Sequence, residues 1–227
     1  MLEPKTVVAY DLDDTLLKGD SSILWNRFVY QSNLVSSKDH LDHLSAFKSD
    51  YHKGILDCQA YQKFTMSAFR SLPEDILVRY RERFFEQEIK PRIKTKSIDL
   101  VSNHRSLGYH TVLISATNAF ITEPVKRFLN IDADLSTEPE RIGGMLTGNF
   151  TGTASFKEGK RDNFIRYMEK LKRRGEAIGR TRFYSDSHND IPLLSYVDEA
   201  IAVNPDNVLN ELAKKVGWEI ISLDDYS

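Results

Sequence analysis

The sequence predicts an α/β protein, a mostly parallel sheet covered by helices on both faces with a helical bundle inserted after the first strand. Three observations point there. From residue 111 to the end, short β-branched runs alternate with helical stretches. A run of the same kind opens the chain at residues 6–10, TVVAY. Between them, from about residue 20 to residue 90, lies a segment with one glycine (Gly54), one proline (Pro73) and no convincing strand.

In chain order, the first strand runs directly into Asp11, Asp13 and Asp14. The inserted segment follows. Its clearest signal is the helix start Ser71-Leu72-Pro73-Glu74, after which Ile76, Leu77, Tyr80 and Phe84 fall on one face; Pro91 closes it. The division expected is a core of residues 1–17 and 91–227 and a helical cap of residues 18–90 over the strand ends. Trp25, Phe28, Tyr61, Phe64 and Phe69 should fill the cap interior, with one or two left to line a pocket. The later strands are residues 111–115 (TVLIS), 182–185 (RFYS), 200–203 (AIAV) and 219–222 (EIIS). Helices are expected over residues 120–130, 160–174 and 206–215, the second with Phe164, Ile165, Met168 and Leu171 at helical spacing. Residues 140–153, where Gly143, Gly144, Gly148 and Gly152 punctuate Met145, Thr147 and Phe150, predict a β-hairpin beside the main sheet.

A net charge of −2 over 227 residues gives no electrostatic reason to expect nucleic acid or an anionic membrane as partner. The single cysteine, Cys58, excludes an intrachain disulfide and suits a reducing compartment. No apolar run is long enough to span a bilayer, and the first strand follows the N-terminus without a signal-like segment, so a cytoplasmic location is expected. The oligomeric state is left open.

In parallel sheets of this kind ligands bind outside the carboxyl ends of the strands, and those ends carry the chemistry here. Strand alternation puts Asp11 and Asp13 on one face and Asp14 on the other. A polar turn would account for one such carboxylate; two on one face repel unless a cation or strong donors compensate. A carboxylate nucleophile, Asp11, attacking phosphorus beside Mg2+ meets that requirement, since magnesium takes oxygen ligands from carboxylates and phosphate. Asp13 would then protonate the leaving alcohol and deprotonate the attacking water.

The remaining strand ends supply matching groups. "VLISATNAF" sets Ser115, Ala116, Thr117 and Asn118 at the end of the second strand, residues that also serve as ordinary helix caps. "SFKEGKRDNF" brings a lysine to a helix start; Lys160 is preferred, with Lys157 in reserve. "YSDSHNDIPLL" places Asp186 at a strand end as a further metal carboxylate. There Asp190 precedes Pro192 as a helix cap and a support for the metal site. His188 reads as a loop residue, with no second histidine or cysteine at ligand spacing.

Together these residues resemble the haloacid dehalogenase superfamily of phosphohydrolases, in its subfamily IB, the phosphoserine-phosphatase-like branch with a helical cap after the first strand. "DLDDT" resembles the first motif of that family, "LISAT" the second, Lys160 the third and "YSDSHNDIPLL" the fourth, in order across essentially the whole chain. The resemblance implies a Rossmann-like three-layer α/β/α core. It implies Asp11 as nucleophile and Asp13 as general acid and base. Mg2+ would be held by Asp11, the Asp13 carbonyl and Asp186. Ser115, Ala116, Thr117 and Lys160 would bind phosphate, with Asn189 beside them, and Asp190 and Thr15 would support the site.

Departures from that pattern bear on the substrate. Asp20 stands where phosphoserine phosphatases carry a glutamate for the substrate amine, and Thr65 stands where they carry an arginine for the carboxylate; Arg27 or Arg70 would have to replace it. A small phosphorylated metabolite with an amine and no carboxylate, an amino-alcohol phosphate such as histidinol phosphate, fits this change. Phosphoserine is the alternative, as is a phosphotransferase or phosphomutase with the same aspartyl-phosphate chemistry. A signalling receiver also gathers carboxylates, a hydroxyl and a lysine, but has no use for a cap or for Asp13.

Overall fold

The computed structural model describes residues 4–34, 40–66 and 72–224. Six strands form the main sheet: β1 (Lys5–Tyr10), β2 (His110–Leu113), β3 (Ala133–Asp134), β6 (Ile178–Ser185), β7 (Glu199–Val203) and β8 (Glu219–Ile221). Their order is β3-β2-β1-β6-β7-β8, and every pairing is parallel. Because β1 is buried on both faces, its side chains belong to two separate cores. Val8 and Tyr10 join one, Val7 and Ala9 the other, which is why the strand reads as an unbroken apolar run.

Helices cover both faces. On the Val7 side lie α7 (Glu158–Arg173), α8 (Ile191–Leu194) and α9 (Asn207–Val216), contributing Phe164, Met168, Leu171, Leu193 and Leu209. On the Tyr10 side lie α5 (Thr95–Ser106) and α6 (Ala119–Phe128), with Val101, Phe120 and Val125. The three-layer expectation and the four later strands therefore stand, each within a few residues of its expected span. The crossover helix α5 has no counterpart in the sequence reading. It buries only Ser97, Val101 and His104, too few apolar residues to show a period. The two-residue edge strand β3 is too short to carry a pattern.

The chain leaves for the insertion and returns through adjacent segments: Leu17 bridges Ile93, and Lys18 N–H donates to the Arg92 carbonyl at 2.9 Å. Between them come α1 (Ser21–Gln31), α2 (His40–His52), α3 (Cys58–Thr65) and α4 (Glu74–Phe84). A π-helical turn, Phe85–Ile89, and a short 3-10 turn holding Pro91 follow. Helix α4 starts at Glu74 and buries Leu77 and Phe84, as its spacing implies; Ser71, Phe69 and Arg70 lie outside the described residues. Trp25 meets Phe84 edge-on at 5.2 Å and Phe28 packs tilted against it at 5.4 Å, filling the cap interior. The expected hairpin forms from β4 (Pro139–Ile142) and β5 (Met145–Phe150), turning at Gly143 and Gly144 with φ of +58° and +80°. It is a separate two-stranded sheet, and β5 lies against cap helix α3.

β1 sits at the point where strand order reverses, between β2 on one side and β6 on the other. The chain turns sharply after it: Asp11 N–H still pairs with the Tyr184 carbonyl at 2.9 Å, and Leu16 and Leu17 N–H then both close on the Leu12 carbonyl. A crevice opens at this switch point, and the cap lies over it.

Candidate active site

The crevice is a cavity of about 260 Å³ lined by the ends of β1, β2 and β6, the start of α7, and helices α1, α2 and α3. Lys160, in the first turn of α7, is buried with its Nζ 2.8 Å from Asp11 Oδ1 and 2.6 Å from Asp190 Oδ2. Asp190 also accepts a 2.6 Å hydrogen bond from the Ser185 hydroxyl. It occupies a helix start, but its carboxylate turns inward to Lys160 and caps nothing. Burial alone would lower the lysine, yet the Asp11 and Asp190 carboxylates hold it above its ordinary range, so it stays charged.

Thr15 joins two further carboxylates. Its Oγ1 is 3.2 Å from Asp11 Oδ2 and 2.9 Å from Asp186 Oδ1, and it accepts the Asp186 N–H at 3.0 Å. One hydroxyl hydrogen cannot satisfy both carboxylates. Asp13 is held separately: Ser21 N–H donates to Oδ1 at 2.6 Å, and the Thr117 and Ser115 hydroxyls reach Oδ2 at 3.0 and 3.4 Å. Burial pushes Asp11 up to about 7 against the pull of Lys160, and burial with repulsion from Asp20 pushes Asp13 up to about 7. Asp186 is raised well above the carboxylate range by burial and by Asp11. Burial also brings Asp20 to about 6.

This excess of negative charge is the condition a divalent cation relieves. Among the described residues no three His, Cys, Asp or Glu side chains gather as a ready-made metal site. Magnesium does not need three; one or two carboxylates completed by water and phosphate oxygens suffice. Asp11 and Asp186, drawn to one hydroxyl and both raised, fit that donor set, with the Asp13 carbonyl available from the same turn.

Of the residues expected from sequence, Asp11, Asp13, Asp20, Ser115, Ala116, Thr117, Lys160, Asp186 and Asp190 all line this one cavity, and Thr15 lies immediately beneath it. Several details differ from expectation. Thr117 is a brace for Asp13: its N–H donates to Ser115 Oγ at 3.1 Å, and its hydroxyl contacts Asp13, Ser21 and Ser22. Asn189 does not line the cavity; its amide donates to the Tyr51 carbonyl of α2 at 3.2 Å and so holds the cap. Asp14 adopts φ +55° at the cavity rim, its carboxylate accepting from Gly19 N–H. Asp20 both lines the cavity and caps α1, accepting from Ile23 N–H at 2.8 Å. Lys157 points its ammonium at the Gly54 carbonyl of the cap, away from phosphate chemistry. Arg27 is exposed and outside the cavity lining, so it does not replace the missing arginine. Thr65, in the arginine's place, is buried and bonds the Gln62 carbonyl.

Sequence reading missed the cap's share of the site. Gln62 Nε2 donates to the Ala116 carbonyl at 2.6 Å, tying α3 to the loop after β2, and Thr137 donates to the same carbonyl at 2.9 Å. Tyr51, Tyr61, Phe47 and Phe156 line the cavity, as do His188 and Asp206. Of the named aromatics only Tyr61 is among them. The polar residue Gln62 on the buried face of α3 was the one available signal.

A family model for haloacid dehalogenase-like hydrolases matches residues 8–195. Histidinol-phosphatase of Neisseria meningitidis serogroup C (strain 8013) is 36% identical over 96% of this chain and 99% of its own length. A phosphoserine phosphatase of Mycobacterium tuberculosis (strain ATCC 25618 / H37Rv) is 29% identical, over 93% of this chain and 68% of its own. Among solved structures, a Bordetella pertussis Tohama I protein of unknown function superposes with a TM-score of 0.87 at 31% identity, covering 97% of this chain and 99% of the other. A substrate-bound phosphoserine phosphatase superposes at 0.67 with 17% identity, covering 98% and 95%, a likeness of fold.

Proposed function

The chain belongs to the haloacid dehalogenase-like hydrolases and is a phosphoric monoester hydrolase, and from that premise we propose that it hydrolyses a small amino-alcohol phosphate, histidinol phosphate, through an aspartyl-phosphate on Asp11. The observation that carries the substrate is the charge lining the cavity. Asp20, the cap of α1, lines it beside Asp13 and offers a carboxylate to an ammonium group, and no arginine lines the cavity among the described residues to receive a carboxylate. The histidinol-phosphatase relative, matched end to end, supports the same reading.

The reaction follows from the placement of this chain's groups. The substrate phosphate lies against Lys160 Nζ and the Ser115 hydroxyl, which neutralise and orient it. Asp11, whose ionised form the Lys160 ammonium favours, attacks phosphorus as the bond to the alcohol oxygen breaks. Asp13, raised by burial and by Asp20, carries a proton near neutral pH and gives it to the departing oxygen. The resulting Asp13 carboxylate then takes a proton from the water that attacks the aspartyl-phosphate, which frees phosphate and restores Asp11. Thr117 and Ser21 hold Asp13 in place for both steps. Asp11, Asp186 and the Asp13 carbonyl would hold Mg2+, whose charge offsets repulsion between the carboxylates and the phosphate. The cap, bonded to the core through Gln62 and Asn189, excludes bulk water while this occurs.

Phosphate release should be measured over histidinol phosphate, phosphoserine, sugar phosphates and nucleotides, with and without Mg2+. The expected result is highest kcat/KM on histidinol phosphate with Mg2+ present. Greater activity on phosphoserine, or transfer of the phosphoryl group to a sugar hydroxyl, would replace this reading.

A further inference from the structure

One wall of the cavity is built of rings and furnished with one oriented imidazole. Tyr51 and Phe156 meet at 5.6 Å between ring centroids, and Phe47 meets Tyr61 edge-on at 5.3 Å. All four line the cavity. Phe47 and Tyr51 stand one turn apart on α2 and so share a face. His188, between Asp186 and Asp190, has Nδ1 2.8 Å from Asp206 Oδ2, and its own N–H donates to the same oxygen at 2.8 Å. Asp206 is in turn fixed by Leu209 N–H at 2.9 Å. Desolvation would raise this carboxylate, but the backbone donors of Leu209 and His188 hold it below its ordinary range. An ionised carboxylate only accepts, so Nδ1 presents its hydrogen to Asp206 and Nε2 is the ring nitrogen left to meet a ligand. Among the described residues no hydrogen bond to Nε2 is found. It lies 3.6 Å from the point a Cβ on Gly54 would occupy, an ordinary contact distance. Lys157 Nζ is 3.2 Å from that same point but is directed at the Gly54 carbonyl.

Resting on the amino-alcohol phosphatase reading, we propose that this wall forms a subsite for a nitrogen heterocycle. It would take the imidazole of the substrate between the rings of Phe47, Tyr51, Tyr61 and Phe156, its N–H donating to His188 Nε2, and Asp206 would set the tautomer. Aromatic walls favour a flat ring, more so a cationic one. An acceptor that the bound ligand desolvates rejects an analogue that cannot donate, because it is then left unpaired. His188 is thus the residue that separates histidinol phosphate from ringless amino-alcohol phosphates.

The test compares histidinol phosphate with alaninol phosphate, which keeps phosphate and amine but carries a methyl in place of the imidazolylmethyl group, on the wild-type protein, His188→Phe and His188→Gln. Wild type should prefer histidinol phosphate at least about tenfold in kcat/KM, and His188→Phe should reduce that preference at least about tenfold, mainly through KM. His188→Gln, whose amide oxygen can accept, should recover part of it. An equal loss on both substrates in both variants, or an unchanged preference in His188→Phe, overturns the subsite. Equal wild-type turnover of the two substrates overturns the subsite and leaves the amino-alcohol phosphatase reading standing. Turnover of neither, with phosphate released from another phosphomonoester, overturns both.

Discussion

Lys160 Nζ lies 2.8 Å from Asp11 Oδ1 in a setting where both side chains are almost wholly buried. The ammonium favours the ionised form of Asp11, the proposed nucleophile, against the burial that raises it. Lys160→Met should therefore lower kcat by about 10²–10³-fold or more, the cost typical of losing one preorganised charge. Lys160→Arg should recover little, since the wider guanidinium does not fit a buried ammonium site. Steady-state kinetics with circular dichroism as a folding control checks both.

Asp13 predicts a dependence on the leaving group. Asp13→Asn should lower kcat on an alkyl phosphate by about 10²–10⁴-fold. With p-nitrophenyl phosphate, whose leaving group needs no proton, the same variant should release a burst of nitrophenol close to one equivalent of enzyme before stalling. Rapid-mixing absorbance reads the burst; its absence would remove Asp13 from the proton-transfer role.

Lys157 pairs with the carbonyl of Gly54 across the cleft from a backbone held at φ +50°, a conformation costly for any residue but glycine. Lys157→Met should loosen the cap while leaving the phosphate end intact, raising KM several-fold with a smaller change in kcat. Lys157→Gly should show the same KM effect yet melt no lower than Lys157→Met, because it relieves the backbone strain. Hydrogen exchange in α2 and α3 should quicken in both.

The repulsion among Asp11, Asp13 and Asp186 predicts opposite effects on stability and activity. Without Mg2+, Asp186→Asn should raise stability by about 1–2 kcal/mol, since it removes one of the like charges. The same change should abolish turnover. Chelation should inactivate the wild-type protein reversibly, and Mg2+ should raise its Tm but not that of Asp186→Asn.

On the sheet's other side, His104 Nδ1 bonds the Tyr10 hydroxyl at 2.6 Å, and burial, then Arg182, lowers the ring from 6.5 to about 4. Between those two values the unfolded chain takes up a proton that the folded protein refuses, so stability falls with pH across that window and is fully present above it. The loss should reach at most about 3 kcal/mol. His104→Gln should flatten this part of the profile in denaturant titrations from pH 7 to pH 4.

The later strands, the helical insertion and the carboxylates at the strand ends were legible from local pattern alone, because each depends on residues near one another in the chain. Asp11, Asp13, Lys160, Asp186 and Asp190 belong to that class: a strand ends, a turn follows, and the residue there must face the crevice at the switch point. What only the tertiary structure decided is which way competing side chains turn and what distant segments bring to them. Lys157 and Lys160 are three residues apart near the start of α7, yet backbone geometry sends one to the cap and the other to Asp11. Asn189 faces α2, Thr117 serves Asp13, and His188 is oriented by Asp206, eighteen residues away. Gln62 reaches Ala116 across fifty-four residues. Such pairings carry no local period, so the sequence by itself determined the reaction, and packing of the cap against the strand ends decided what surrounds the substrate.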